Sequence, residues 1–140
     1  MDAFDADVLI YAAVPGHESG ALVRALFPAA APRDGGGFAG VGSVLLIPEV
    51  LSKPLREEAR DELHALGLLL ARIQLLPTDR ATAELATALA ALYGLRAADA
   101  VHLATAVGAG AGRFITNNRS DFPKSISEIA VTYPEDLAQT

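Results

Sequence analysis

Short apolar blocks alternate with polar ones along the chain, and the spacing inside each block predicts a succession of strands and helices. Residues 3–11, AFDADVLIY, predict a first strand, with Asp5 and Asp7 on one face and Val8 to Tyr11 as its buried run. Residues 17–27 place Ala21, Leu22, Ala25 and Leu26 at helical spacing, and the breaker-rich PAAAPRDGGG of 28–37 predicts a loop. A short strand over 38–43 would end at Ser43, whose hydroxyl is placed to cap a helix carrying VLLIPEVL. Pro48 and Pro54 blur that helix's limits, since proline sits comfortably only in a first turn. Residues 56–74 predict one long amphipathic helix with Leu63, Leu66, Leu70 and Ile73 inward and the charges of 56–62 outward. IQLLP predicts a short strand, and Thr78 or Asp79 caps a helix over 80–93 that Gly94 closes.

The block over 97–107 is apolar on every side except at Asp99, His102 and Thr105, which predicts a buried helix. Asp99 should then lie inside the protein. A lone carboxylate there costs several kcal/mol unless it shifts its pKa, meets a cation or binds metal, and Arg96 is the only cation nearby in sequence. Glycines end this helix, RFIT predicts a strand with a polar exit at 117–121, and IAVTY a last strand before the tail PEDLAQT. Strands spaced by helices imply an α/β fold: a mainly parallel sheet with helices on both faces.

Composition narrows the picture. A length of 140 residues, 51% hydrophobic and 20% charged, suits one globular domain over 1–140. With no cysteine, disulfides and thiolate metal sites are excluded. The acidic start and the absence of a charge-free apolar run of spanning length predict a soluble, cytoplasmic protein with no membrane partner. The net charge of -6 argues against nucleic acid at first sight, but two divalent cations would bring it to -2.

Asp5, Glu49 and Asp99 are single carboxylates in apolar surroundings, far apart in sequence and without local basic partners. Parallel α/β sheets gather such groups in a crevice at the carboxyl ends of the strands. There they would repel one another unless cations neutralise them. Oxygen-only ligands suit Mg²⁺ or Mn²⁺, and one or two such ions can activate a water and support in-line displacement at phosphorus.

Four stretches in order, FDADVLIYA, SVLLIPE with its S-x5-E from Ser43 to Glu49, LRAADAVHLATA and FITNNRSDF, together resemble the PIN-domain family, and within it the VapC-like toxins. The resemblance covers almost the whole chain. It implies a three-layer α/β/α sandwich with a mainly parallel sheet and a Mg²⁺- or Mn²⁺-dependent ribonuclease site leaving a 5′-phosphate and a 3′-hydroxyl. It further implies an RNA substrate, an antitoxin partner and a homodimer. Carried over by residue, the family's first acid falls on Asp5, its helical glutamate on Glu49 and its third acid on Asp99. The fourth acid is replaced by Asn118; Asp121, three residues on, is the candidate to reach the same ions through the loop or a water. Thr116 would contact the metal region, and Arg119 the RNA phosphates.

Blander roles exist for each residue. Asp5 also fits a strand-end cap, Glu49 a solvent-facing helix position, Asp99 a first-turn acid favoured by the helix dipole, and Asp7 a turn or supporting position. His102 reads as a packed helix histidine. Two other functions compete: a haloacid-dehalogenase-like phosphatase using the D-x-D of Asp5 and Asp7, and a PIN-like scaffold that binds RNA or protein without cutting, to which Asn118 points.

Overall fold

Parallel neighbours cannot be joined by a tight turn, so each strand must be followed by a crossover long enough to return to the same edge. The computed structural model, which describes residues 1–138, meets this with five short strands. These are β1 Asp2–Phe4, β2 Gly40–Ser43, β3 Ile73–Leu76, β4 Arg113–Ile115 and β5 Ala130–Thr132. All neighbours pair in parallel, in the order β3-β2-β1-β4-β5. The helices are α1 Ala6–Ala12, α2 Glu18–Arg24, α3 Leu46–Arg56, α4 Arg60–Leu70, α5 Arg80–Tyr93, α6 Ala97–Gly108 and α7 Pro134–Leu137.

Side chains alternate across a strand, so the sheet has two apolar faces. Ala3, Val41, Phe114 and Val131 point to one, where Leu89 of α5, Leu103 of α6 and the loop residue Phe122 cover them. Phe4, Ile73 and Ile115 point to the other, under Val8, Leu9, Val23, Leu46, Leu66 and Leu137 from α1, α2, α3, α4 and α7. The result is an α/β/α sandwich, as the block pattern and the family resemblance both imply.

Three expected elements change. The predicted first strand stops at Phe4, and the run from Ala6 onward is helix α1. Asp5 ends the strand by capping that helix, while Val8, Leu9 and Ala12 take the buried side. The predicted long helix over 56–74 is two pieces: α3 continues to Arg56, Glu58 has a left-handed φ of 54°, and α4 begins at Arg60. Ile73, expected inward on that helix, is buried as the first residue of β3. Ser43 lies in β2; its Oγ accepts the Leu45 N–H at 3.1 Å, and α3 is capped by no side chain. Helices α2, α5 and α6 fall close to expectation, with Asp79 capping α5 through the Thr82 N–H at 2.9 Å and Gly94 closing it in the left-handed region, whereas the expected tail begins as the short helix α7. The last two residues of the predicted tail lie outside the described residues.

Candidate active site

The central strands β1 and β4 run side by side although the chain leaves β1 toward β2, so a crevice opens at their carboxyl ends. Asp5 immediately follows β1, and its N–H donates to the Ile115 carbonyl at 3.0 Å. Its carboxylate is held on both oxygens: Oδ1 accepts the Ala6 N–H at 2.8 Å and Oδ2 accepts the Thr116 hydroxyl at 2.7 Å. Asp7, in the first turn of α1, takes the Asn117 N–H on Oδ2 at 3.0 Å, and its Oδ1 is buried without a partner. Glu49 comes from the first turn of α3 and Asp99 from the first turn of α6. Asp5, Asp7, Glu49, Asp99, Asn117 and Asn118 line one cleft of about 530 Å³, and no Lys or Arg lines it among the described residues.

The electrostatics follow from that crowding. Burial pushes the Asp5 carboxyl up, and the Glu49 charge adds to it, against the hydrogen bonds from Thr116 and Ala6 and the attraction of His102. Burial and the Asp5 charge push Asp7 up to about 7. Burial, then the charges of Asp5 and Asp121, push Asp99 up to about 6. The expectation that Asp99 lies inside therefore needs correction: it is half-buried at the cleft wall, while α6 is buried from His102 to Ala106, beyond its first turn. Among the described residues no ion pair joins Arg96 to it.

His102 is fully buried with its Nε2 3.1 Å from Glu49 Oε1, although the angle is too poor for a good hydrogen bond and neither ring nitrogen has another partner. Burial draws the imidazolium down, but the Glu49 contact and the charges of Glu49, Asp5 and Asp99 outweigh it and hold its pKa above the usual histidine value. Asn118 donates its Nδ2–H to Asp121 Oδ2 at 2.9 Å and its backbone N–H to Thr116 Oγ1 at 3.1 Å. Asn118 lines the cleft and Asp121 stands behind it. Arg119 does not line the cleft: its guanidinium binds Glu135, donates to Asn117 Oδ1 at 3.3 Å and lies over the Tyr133 ring, 4.4 Å from the centroid. Lys124 pairs with Asp136 at 2.7 Å.

Tyr11 and Asn117 are cleft residues that the reading of the sequence left aside, and Asp7, expected as a turn or supporting residue, lines the cleft with them. The D-x-D spacing signalled Asp7, but its bond to a backbone N–H 110 residues away has no local trace. As placed, no three His, Asp or Glu side chains among the described residues share one metal-sized point, as expected of like charges that repel. The donor chemistry nevertheless fits a hard divalent cation, being all oxygen and net negative, with the buried Asp7 Oδ1 lacking a partner.

The sequence matches the family model described as PIN domain over residues 3–124. A chain of a toxin-antitoxin complex from Klebsiella pneumoniae superposes with a TM-score of 0.73 at 23% identity, covering 96% of this chain and 98% of that one. A chain in the crystal structure of VapBC2 from Rickettsia felis bound to a DNA fragment from their promoter gives a TM-score of 0.69 at 14% identity, covering 94% and 97%. At these identities the likeness is one of fold. No curated protein sequence matches the chain significantly.

Proposed function

The chain belongs to the PIN-domain family, a family of nucleases, and on that footing we propose that it is a Mg²⁺- or Mn²⁺-dependent endoribonuclease acting as the toxin of a toxin-antitoxin pair. The observation that carries this reading is the convergence of carboxylates from the end of β1, from α3 and from α6 on one cleft with no basic lining.

Asp5, Glu49 and Asp99 would hold one or two ions, with Asp121 contributing through Asn118 or a water. When bound, the ions would neutralise the cleft, activate a water for attack on the scissile phosphate and stabilise the departing 3′ oxygen. The chain's own part is positioning. Thr116 and the Ala6 N–H fix both oxygens of Asp5, and the Asn117 N–H fixes Asp7. Asn118 has a second Nδ2–H free of the Asp121 bond, available to a phosphate oxygen.

The partners follow from the same family. Both solved relatives are described as toxin-antitoxin or VapBC2 assemblies, which supports an antitoxin partner here. A homodimer is supported by the apolar hollow between α5 and α6, lined by Ala86, Ala90, Leu95 and Val101. No helix among the described residues is long and apolar enough to cross a membrane; the cytoplasmic location proposed rests on the toxin reading alone. Asn118 in place of an acid favours a second reading, a scaffold that binds RNA without cutting it. Analysis of the ends left on cut RNA tests the chemistry: a 5′-phosphate and a 3′-hydroxyl are expected, and a 2′,3′-cyclic phosphate would mean that the RNA's own hydroxyl attacks, without the proposed hydrolysis.

A further inference from the structure

We propose that Tyr11 is the platform on which a base of the RNA next to the scissile phosphate stacks; this rests on the nuclease reading of the cleft. Asp7 and Tyr11 are four residues apart on α1, so they share a helix face, and both line the cleft. The acidic cleft thus carries an aromatic side chain one helical turn from Asp7. Tyr11 is the only Phe or Tyr lining it among the described residues. Of the other aromatics, Phe4, Phe114, Phe122 and Tyr133 are core residues, Phe27 packs on Phe4, Tyr93 is bonded to Glu128, and Phe38, 52% exposed, does not line the cleft.

The ring is also held in place before any ligand arrives. His17 stacks on it with centroids 4.6 Å apart and planes 9° apart. His17 is itself fixed, because its Nδ1 accepts the Gly20 N–H at 3.1 Å as the cap of α2. Gly20 packs against the Tyr11 carbonyl so closely that an added Cβ would lie 2.0 Å from that oxygen. One face of the Tyr11 ring is therefore covered by His17, and the half-buried side chain contributes to the cleft wall that also carries the acids. No hydrogen bond engages its hydroxyl among the described residues. A rigid aromatic surface beside a phosphate-handling site suits an unpaired base, since stacking accepts any base and a fixed ring loses little freedom on binding. Double-stranded RNA has its bases already stacked and would not use it.

The test pairs binding with cleavage in the full chain. Anisotropy of a fluorescein-labelled single-stranded RNA of mixed sequence, with Ca²⁺ filling the oxygen site, is read for wild type, Tyr11→Phe and Tyr11→Ala. Mn²⁺ titration calorimetry and thermal melts on each variant report the metal site and the fold. The expected result is a loss of about tenfold in RNA affinity for Tyr11→Ala, near-wild-type binding for Tyr11→Phe, and unchanged Mn²⁺ affinity in both. In cleavage assays the same loss falls on KM and leaves kcat alone. Equal RNA binding by Tyr11→Ala and wild type overturns the platform even if the protein cuts RNA. Equal damage in Tyr11→Phe and Tyr11→Ala overturns it too, because the hydroxyl would then be the contact. Tyr11-dependent binding without any cutting sustains the platform and rejects the nuclease reading, and absence of RNA binding by folded wild type rejects both.

Discussion

His102 places its Nε2 3.1 Å from Glu49 Oε1, with the imidazole wholly buried and the carboxylate about one-third exposed at the cleft. The histidine thus stands behind the glutamate. Neither of its ring nitrogens makes a hydrogen bond, so its removal should cost little stability while loosening Glu49. His102→Leu is expected to melt within a few degrees of wild type and to bind Mn²⁺ about tenfold more weakly, the usual scale for a residue supporting a ligand. Calorimetric titration checks this, and unchanged Mn²⁺ affinity would remove His102 from the site.

The raised pKa values set the sign of the pH dependence. Asp7 at about 7 and Asp99 at about 6 keep their protons in the fold well above the 3.8 of the unfolded chain. Between those values the folded state binds more protons, so their contribution is complete below pH 3.8 and is lost as pH rises through 6 and 7. Asp5 and His102, both raised, act in the same direction. The metal-free protein should therefore melt at lower temperature at pH 8 than at pH 5.5. Mn²⁺ competes with those protons and should raise the melting temperature more at pH 8. Asp7→Asn is expected to flatten the slope, and thermal melts across the range decide it.

Restoring an acid at the departing position tests the Asn118–Asp121 pair. The amide donates to the Asp121 carboxylate at 2.9 Å, so Asn118→Asp sets two carboxylates against each other. The metal-free variant should lose a few degrees of melting temperature, and Mn²⁺ should recover them. In the assay, a competent nuclease becomes faster, whereas a scaffold that does not cut gains activity.

Packing of α1 on α2 tests the support under the cleft. A Cβ at Gly20 would meet the Tyr11 carbonyl at 2.0 Å. Gly20→Ala is expected to destabilise the protein by about 1–3 kcal/mol in denaturant titration, the usual cost of overpacking, and an unchanged midpoint would contradict the close approach.

The fold was legible wherever local signals agreed. Asp79 and Gly94 bracket α5 as a cap and a left-handed stop should, and the alternation of blocks was enough for the α/β class. It misled at two kinds of place. An unbroken apolar run such as VLIY is equally a buried strand or the inner side of a short helix, and only the Asp5–Thr116 and Asp5–Ala6 bonds make residue 5 the boundary. The break between α3 and α4 falls at Glu58, in a charged stretch with no glycine to announce it. In the site, Asp5, Glu49 and Asp99 stood out because each interrupts apolar sequence. Arg119 did not behave as a free cation, because Glu135 and Tyr133, which claim it, are distant in sequence.

Cleavage of a mixed RNA pool by the purified protein tests the central claim most directly, with Mg²⁺ or Mn²⁺, with EDTA, and with Asp99→Asn beside wild type. The account predicts metal-dependent cutting by wild type that EDTA abolishes and that Asp99→Asn loses while melting no lower than the metal-free wild type. Cutting that survives EDTA, or an Asp99→Asn protein that cuts like wild type, would contradict the acidic cleft as the active site.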